Sequence, residues 1–307
     1  MIDQAPVRDA TETRLRRAYG FEEVALVPGA VTADPSEVDI AVDLGGFRLQ
    51  IPFLAAAMDA VADAEFAVRM SRHGGLAFVN LEGLYTRYED AGAIIERVAA
   101  ADSGKAAGHI LAEAYQQPIR DDLITALITR IKAQGAIAAV ATTPASAWHH
   151  AELAAEAGAD LLLVQSQVSS ARHISTSTRV LSLADLTGGL KLPVLVGNTV
   201  SGEAAYQLMH QGAAGIFVGV GPGAACTTRE VLGIGVPQVS ATLEVAAARD
   251  RFAVETGRYV PVVTDGGMKT GGDIAKAIAS GADAVMLGST IAAAAEAPAP
   301  GYSWGMA

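Results

Sequence analysis

The sequence predicts an α/β protein built as a closed barrel of eight parallel strands, the (β/α)8 or TIM barrel. Short apolar runs alternate with helix-like stretches, which is typical of parallel strands joined by helices. The chain has 307 residues, enough for one such barrel, which typically takes about 250. Aromatic residues make up only 5% of the chain, so its apolar mass is Ala, Val, Leu and Ile, as in parallel strands covered by helices. We expect a single barrel domain over residues 1–307.

A repeated phrase marks several of the strands. Three times, at 157–164, 211–218 and 280–287, a Gly-Ala sequence that can end a helix precedes a buried apolar run. Eight strands are predicted, at 53–57, 77–80, 137–141, 161–164, 194–197, 215–218, 260–264 and 284–287. Helices are predicted between most of them, at 62–73, 119–134, 145–157, 202–211 and 271–280. Eight units favour a closed barrel over an open, doubly wound sheet.

Two segments are longer than the eight strand–helix units of a minimal barrel require. Residues 1–50 contain a Val-Pro-Gly turn and an extended-looking stretch, and we expect them to form an arm on the barrel's N-terminal face. Residues 84–135 look helical but are too short to hold an additional regulatory domain.

Composition excludes several classes of protein. Asp and Glu number 33 against 22 Lys and Arg, a net charge of −11, and nucleic-acid binding needs a basic surface instead. No apolar run is as long as the roughly 18 residues of a membrane span, and no signal peptide opens the chain. The single cysteine excludes an intrachain disulfide and fits a reducing compartment. We therefore expect a cytoplasmic protein that binds neither nucleic acid nor membrane.

Glycine-rich loops follow the last three predicted strands, at the barrel end where catalytic groups lie in this fold. The loop at 219–229 carries the lone Cys226, and such a loop directs backbone groups at a ligand or ion. Gly266, Gly267, Gly288 and Ser289 begin the loops after the seventh and eighth strands, where this fold usually binds phosphate. Asp265 could accept hydrogen bonds from a ribose. Together these features indicate a phosphorylated, ribose-bearing ligand beside a thiol.

Simpler interpretations exist for each feature. A lone cysteine is often a small buried hydrophobic residue, and a Gly-Gly pair can be an ordinary turn. The six histidines show no metal-ligand spacing, and we expect His149-His150 on a solvated helix face.

The motifs at these positions resemble those of the IMP dehydrogenase and GMP reductase family. Residues 219–229 resemble the family's catalytic loop GIGPGSICTTR, 55–61 resemble its SAAMDTV motif and 21–28 its FDDVLLVP motif. Further motifs match at 197–198, 233–238, 265–267, 286–289, 296–298 and 302–306. The resemblance runs along nearly the whole chain and implies a catalytic (β/α)8 barrel.

The resemblance also implies a chemistry. Cys226 would add to carbon 2 of a purine nucleoside monophosphate, with Thr228 beside it. In a dehydrogenase, NAD takes a hydride from IMP and water releases XMP. In a reductase, GMP loses ammonia and NADPH supplies the hydride that gives IMP.

The remaining site residues follow from the same resemblance. It implies cofactor contacts at Gln165 and Ser166, a potassium ion on the carbonyls of Gly221, Gly223 and Cys226, and a homotetramer or octamer. The substrate IMP, XMP or GMP would be bound by Met58, Asn198, Asp265, Gly266, Gly267, Gly288, Ser289, Tyr302, Gly305 and Met306.

Departures from the family pattern leave the reaction open. Ala224 replaces a serine of the catalytic loop, and Gln165 replaces the acid that holds the nicotinamide ribose in dehydrogenases. Glu244 stands where reductases carry a catalytic glutamate, and the alternative is a glutamate on a solvated helix face. Residues 235–238 and 296–298 resemble the dehydrogenases.

The pattern resembles a branch without the paired CBS regulatory domains, and we expect the C-terminal flap region to be incomplete. IMP dehydrogenase is the expected activity. GMP reductase and a catalytically silent nucleotide-binding regulator are the alternatives.

Overall fold

The computed structural model describes residues 16–174, 181–223 and 226–304. An antiparallel hairpin, β1 (Val42–Leu44) and β2 (Phe47–Leu49), precedes a closed barrel of eight parallel strands. The barrel strands are β3 (Phe53–Ala55), β4 (Leu76–Asn80), β5 (Ala139–Thr142), β6 (Leu161–Gln165), β7 (Val194–Thr199), β8 (Gly215–Val218), β9 (Val262–Asp265) and β10 (Ala284–Leu287). β10 pairs with both β9 and β3, which closes the barrel. The predicted fold is confirmed, and all eight predicted strands are present.

Helices connect the strands and surround the barrel. They are α1 (Ala64–Arg72), α2 (Ala91–Ala99), α3 (Gly104–Ala114), α4 (Asp121–Lys132), α5 (Ala147–Glu156), α6 (Leu183–Gly189), α7 (Gly202–His210), α8 (Thr228–Leu232), α9 (Gln238–Thr256), α10 (Gly271–Ala279) and α11 (Ser289–Ala292). Short 3-10 turns occupy Phe21–Glu23, Pro35–Glu37 and Leu84–Thr86. Several helices begin after a capping residue: Asp63 and Ser201, for example, accept a hydrogen bond from the backbone amide three positions on.

The strands are buried on both faces because side chains fill the barrel and helices cover it. Inside the barrel, Phe78 and Phe217 meet edge to face with ring centroids 5.8 Å apart. Aliphatic side chains from the other strands pack around them. The interior is therefore a packed core and leaves room for a ligand only at its ends.

The hairpin closes the N-terminal end of the barrel. Leu44 is fully buried in the same cluster as Leu161, the first residue of β6. Gly45 follows with φ +58°, and a Cβ there would lie 2.4 Å from Cδ2 of Leu161, so this turn requires glycine. The predicted arm on the N-terminal face is confirmed for the hairpin. Residues 1–15 lie outside the described residues.

The connection between β4 and β5 holds three helices, α2, α3 and α4, as the helical appearance of residues 84–135 predicted. Part of this insertion packs beside the barrel's C-terminal end, where Leu84, Ile95 and Ala114 share a cluster with Ala60 and Ala299. The insertion therefore lies near the end of the barrel that bears the predicted site.

One helix-face prediction is half wrong. His149 is exposed, with Nε2 2.9 Å from a carboxylate oxygen of Asp121. His150 is buried instead, with Nδ1 2.7 Å from Oγ1 of Thr142. Adjacent residues on a helix point in different directions, so α5 turns one histidine outward and the other towards the barrel. Burial lowers the pKa of His150.

The described part of the chain contains no helix long and apolar enough to cross a membrane.

Candidate active site

A cavity of about 610 Å³ opens at the C-terminal end of the barrel. Its volume lies within the range of roughly 300–1,000 Å³ that is usual for small-molecule sites. The residues that line it lie at the ends of seven barrel strands, on the loops that follow these strands and in the C-terminal segment. The site is therefore assembled from distant parts of the sequence, as is usual for this fold.

The glycine-rich loop brings the thiol to this cavity. Cys226 is exposed, its amide donates to the carbonyl oxygen of Gly223 at 3.1 Å, and its Sγ lies 3.1 Å from Oγ1 of Thr228. Gly219 begins the loop, and a Cβ there would lie only 2.2 Å from the backbone oxygen of Asp265. The loop can pass this close to β9 only because position 219 is glycine.

Three polar side chains form a network on the floor of the cavity. Oδ2 of Asp265 accepts hydrogen bonds from Nδ2 of Asn198 at 2.7 Å and from Nε2 of Gln165 at 3.0 Å. Gln165 also donates to Oδ1 of Asn198 at 2.8 Å. Both amides bind the same carboxylate oxygen, and among the described residues Oδ1 of Asp265 accepts no hydrogen bond. This oxygen is available to a ligand hydroxyl.

Burial controls the charge of Asp265. It raises the pKa of this carboxyl to about 6, while the hydrogen bonds from Asn198 and Gln165 favour the ionised form and limit the rise. Asp265 is therefore ionised near neutral pH and largely protonated below pH 6.

Gln238, the first residue of α9, ties two strand ends together. Its Nε2 donates to the backbone oxygens of Val218 at 2.8 Å and Asp265 at 2.9 Å. These oxygens end β8 and β9, so Gln238 fixes the spacing between the Cys226 loop and Asp265. Sequence reasoning placed Gln238 in a family motif but gave it no role. The available signal was a glutamine directly after a proline at the start of a helical stretch, and the structure shows that this glutamine is buried.

Glycines form one wall of the cavity. Gly266 and Gly267 have φ of +82° and +83°, values that favour glycine. A Cβ on Gly288 would lie 3.2 Å from Sδ of Met58, so this turn packs closely against the Met58 loop. Ser289 follows Gly288 and lines the same wall. The arrangement offers backbone amides and a hydroxyl to an anion.

The structure brings most of the predicted site residues together in this one cavity. Those that line it are Met58, Gln165, Ser166, Asn198, Gly221, Gly223, Cys226, Thr228, Asp265, Gly266, Gly267, Gly288 and Ser289. Gly305, Met306 and Ala224 lie outside the described residues.

Two predicted residues lie elsewhere. Glu244 is exposed on α9, and its Oε1 accepts a hydrogen bond at 3.1 Å from the amide of Gly202, the first residue of α7. It is absent from the residues lining the cavity, because α9 packs outside the barrel against α7. Tyr302 also lies away from the glycine wall, and its hydroxyl donates to the backbone oxygen of Ala99 at 2.8 Å. Each of these side chains forms a hydrogen bond with a backbone group at the end of a helix.

Residues that were not predicted as site residues also line the cavity, and they include Thr143, Gln167, Lys269, Thr290 and Ser303. Thr143 directly follows β5, so its position at a strand end was a usable signal. Lys269 adds a cation next to the Gly266-Gly267 turn.

Metal-binding side chains do not cluster in the part of the chain that the structure describes. It contains no group of three or more His, Cys, Asp or Glu side chains that could hold a metal ion. The predicted potassium ion would instead use backbone carbonyls of the Cys226 loop.

Comparisons with known proteins identify the family. Residues 18–304 match the profile of the IMP dehydrogenase / GMP reductase domain. The chain belongs to this family. Uncharacterized oxidoreductases of Mycolicibacterium smegmatis and Mycobacterium tuberculosis are each 39% identical to it over 295 residues, covering 94% of this chain and 79% of theirs. Members of this family bind purine nucleotides and typically use NAD(P).

Two further relatives carry more specific names. An inosine-5'-monophosphate dehydrogenase of Methanocaldococcus jannaschii is 29% identical to this chain. The match covers 92% of this chain and 73% of that protein. A crystal structure of an IMP dehydrogenase/GMP reductase-like protein from Corynebacterium glutamicum superposes with a TM-score of 0.89. That protein is 36% identical, and the match covers 95% of this chain and 78% of the other. The chain is thus a (β/α)8 barrel of the IMP dehydrogenase / GMP reductase family of oxidoreductases.

Proposed function

We propose that the protein is an IMP dehydrogenase that oxidises inosine 5'-monophosphate to xanthosine 5'-monophosphate with NAD. The observation that carries this proposal is the placement of the Cys226 thiol and the Asp265 carboxylate in one cavity, at strand ends tied together by Gln238. A thiol in the same cavity as a carboxylate that could hold a ribose is the arrangement needed to attack the base of a bound nucleotide.

The binding part of the site orients the nucleotide. Oδ1 of Asp265 would accept a ribose hydroxyl, and the amides of Gly267, Gly288 and Ser289 would bind the phosphate. Lys269 adds positive charge beside them. Met58 would lie against the purine. The phosphate and ribose contacts together would direct carbon 2 of the base towards Cys226.

Cys226 performs the covalent chemistry in this proposal. Its thiol loses a proton and its sulfur bonds to carbon 2, which then gives up its hydrogen as hydride. Water adds to the same carbon, and the carbon–sulfur bond breaks to release XMP and restore the thiol. The net reaction converts IMP, NAD⁺ and water to XMP, NADH and a proton.

Residues beyond the purine would hold the cofactor. NAD, when bound, accepts the hydride that leaves carbon 2. Gln165 and Ser166 lie at the end of β6, and their neighbour Gln167 and Thr143 also line the cavity. These uncharged polar groups suit the amide and ribose hydroxyls of a nicotinamide nucleotide. Gln165 would act without the charge that an acid brings at this position.

The loop around Cys226 also suits a cation. Backbone carbonyls are the ligands that select potassium in many proteins, and Gly221, Gly223 and Cys226 would present theirs together. Of these carbonyls, that of Gly223 already accepts a hydrogen bond from the Cys226 amide. A homotetramer or octamer is proposed from the family resemblance.

The position of Glu244 favours dehydrogenase over reductase. A reductase glutamate must reach the leaving ammonia, whereas Glu244 binds the α7 amide of Gly202 and does not line the cavity. Relatives named IMP dehydrogenase, such as that of Methanocaldococcus jannaschii, support the same choice.

Paired assays test the proposal. IMP with NAD is expected to produce NADH and XMP in equal amounts, while GMP with NADPH is expected to be inert. NADPH oxidation with release of ammonia and IMP would establish a reductase instead. Failure of both reactions, with nucleotide binding detected by calorimetry, would establish a binding protein.

A further inference from the structure

The C-terminal segment 302–304 is attached at two points to the helical insertion between β4 and β5. The hydroxyl of Tyr302 donates to the backbone oxygen of Ala99 at 2.8 Å, where α2 ends. The indole Nε1 of Trp304 donates to the hydroxyl oxygen of Tyr115 at 3.2 Å, where α3 ends. Ser303 lies between these two points and lines the active-site cavity.

Tyr115 connects the C-terminal segment to the wall of the cavity through Asp59. Its hydroxyl donates to Oδ2 of Asp59 at 2.6 Å. Asp59 is 1% exposed and directly follows Met58, which lines the cavity beside the glycine wall. Oδ2 of Asp59 also accepts the amide of Leu84 at 2.8 Å, which binds the carboxyl to the start of the insertion.

Tyr115 is itself held in place. Nη1 of Arg87 donates to the Tyr115 carbonyl at 3.1 Å, and the guanidinium lies 5.5 Å from the centre of the tyrosine ring. Arg87 also binds the backbone oxygen of Glu82 through Nε and Nη2, at 3.3 and 3.1 Å. Burial and the neighbouring Asp59 raise the pKa of Tyr115, so its hydroxyl keeps the proton that it donates.

The Asp59 side chain is costly in its present place. Oδ1 of Asp59 is buried and accepts no hydrogen bond among the described residues, and an unpaired buried polar atom destabilises a fold. Gly83 packs against the carboxylate so closely that a Cβ there would lie 1.9 Å from Oδ1. A carboxyl kept in this position, at the junction of the Met58 loop, the insertion and the C-terminal segment, indicates a role other than stability.

We propose that Tyr115 is a positioning residue that fixes segment 302–304 at the rim of the cavity through Trp304 and joins it to the Met58 loop through Asp59. Segment 302–304 and the Met58 loop would then move together, and the helical insertion would fix their position. The effect on nucleotide binding rests on the proposed function, whereas the effect on Trp304 does not.

Trp304 fluorescence tests the attachment without turnover. The chain has two tryptophans, so Trp148→Phe leaves Trp304 as the single reporter. In that background Tyr115→Phe is expected to shift Trp304 emission to longer wavelength, because the indole loses its partner and gains water. Tyr88→Phe is the matched control: the Tyr88 hydroxyl donates to the Ala114 carbonyl at 3.1 Å in the same cluster, and among the described residues it makes no hydrogen bond to Asp59 or Trp304. It is expected to leave the emission unchanged.

Nucleotide affinity and kinetics complete the test. Tyr115→Phe is expected to raise the Kd and KM for IMP about three- to tenfold, the usual effect of one lost hydrogen bond, with kcat changed less than about twofold. Trp304→Phe is expected to do the same, and the double variant no more than either alone, because both changes break one connection.

Unchanged emission and unchanged KM in Tyr115→Phe would overturn the proposal, as would equal effects from Tyr88→Phe. A shift in emission in a protein that neither binds nor converts IMP would leave the attachment standing and remove the proposed function instead.

Discussion

At the scale of single residues, the proposed function depends on two groups with different roles. We propose that Asp265 binds the ribose and that Cys226 reacts, and both residues line the same cavity. The loops after the strands were enough to predict both residues, because the C-terminal ends of barrel strands meet at one place. The same reasoning does not predict which face of a helix outside the barrel points towards the site. The sequence therefore could not show that Glu244 points towards Gly202.

Ligand binding is expected to depend on the charge of Asp265. Its pKa is raised to about 6, so the carboxyl is mostly protonated at pH 5 and mostly ionised at pH 7. The ionised form accepts hydroxyl hydrogen bonds more strongly, and affinity should therefore rise as pH increases through 6 and level off above it. Calorimetry with inosine, which carries no phosphate to titrate, measures this directly.

Asp265→Asn serves as the control for that titration. The variant is expected to bind inosine weakly and with no pH dependence between pH 5 and 8. A flat profile in the unmodified protein would show that Asp265 does not bind the ribose.

Removal of the thiol is expected to separate catalysis from binding. Cys226→Ala should lower turnover about a thousandfold or more, since covalent catalysis is lost. The Kd for IMP should stay within about tenfold, because the ribose and phosphate contacts remain. Steady-state assays and calorimetry measure the two effects. Substantial turnover in this variant would mean that sulfur is not the nucleophile.

At the scale of elements, helix α9 supports the site through its first residue. The buried Gln238 binds the ends of β8 and β9. Gln238→Ala is expected to lower the free energy of unfolding by about 2–3 kcal/mol, because two backbone oxygens lose a buried partner. Thermal unfolding measures this. Gln207→Ala, at an exposed glutamine of α7, should change stability by less than about 0.5 kcal/mol; an equal loss in both variants would remove the special role of Gln238.

The same helix supplies a test of the Glu244 assignment. Because Glu244 binds the first amide of α7, Glu244→Gln is expected to leave turnover within about twofold of wild type. A proton-transfer residue would instead cost about a hundredfold in rate. Stopped-flow assays distinguish these results. A burst of NADH followed by slow turnover in Glu244→Gln would show that Glu244 takes part in catalysis.

At the scale of the whole molecule, local pattern predicted the barrel and missed its long-range connections. The eight strands were readable because each is a short apolar run between turn and helix signals. The hairpin strands of three residues each were visible only as an extended arm. The network of Asp59, Tyr115 and Trp304 joins positions far apart in the chain, and no local periodicity reports such contacts.

The most direct test of the central claim is mass spectrometry of an acid-quenched reaction with IMP and NAD. XMP is expected to accumulate over many turnovers, and Cys226 should carry an adduct equal in mass to IMP less two hydrogen atoms, one from the thiol and one lost as hydride. The adduct should be absent in Cys226→Ala. Failure to form XMP, or equal XMP formation by Cys226→Ala, would contradict the account.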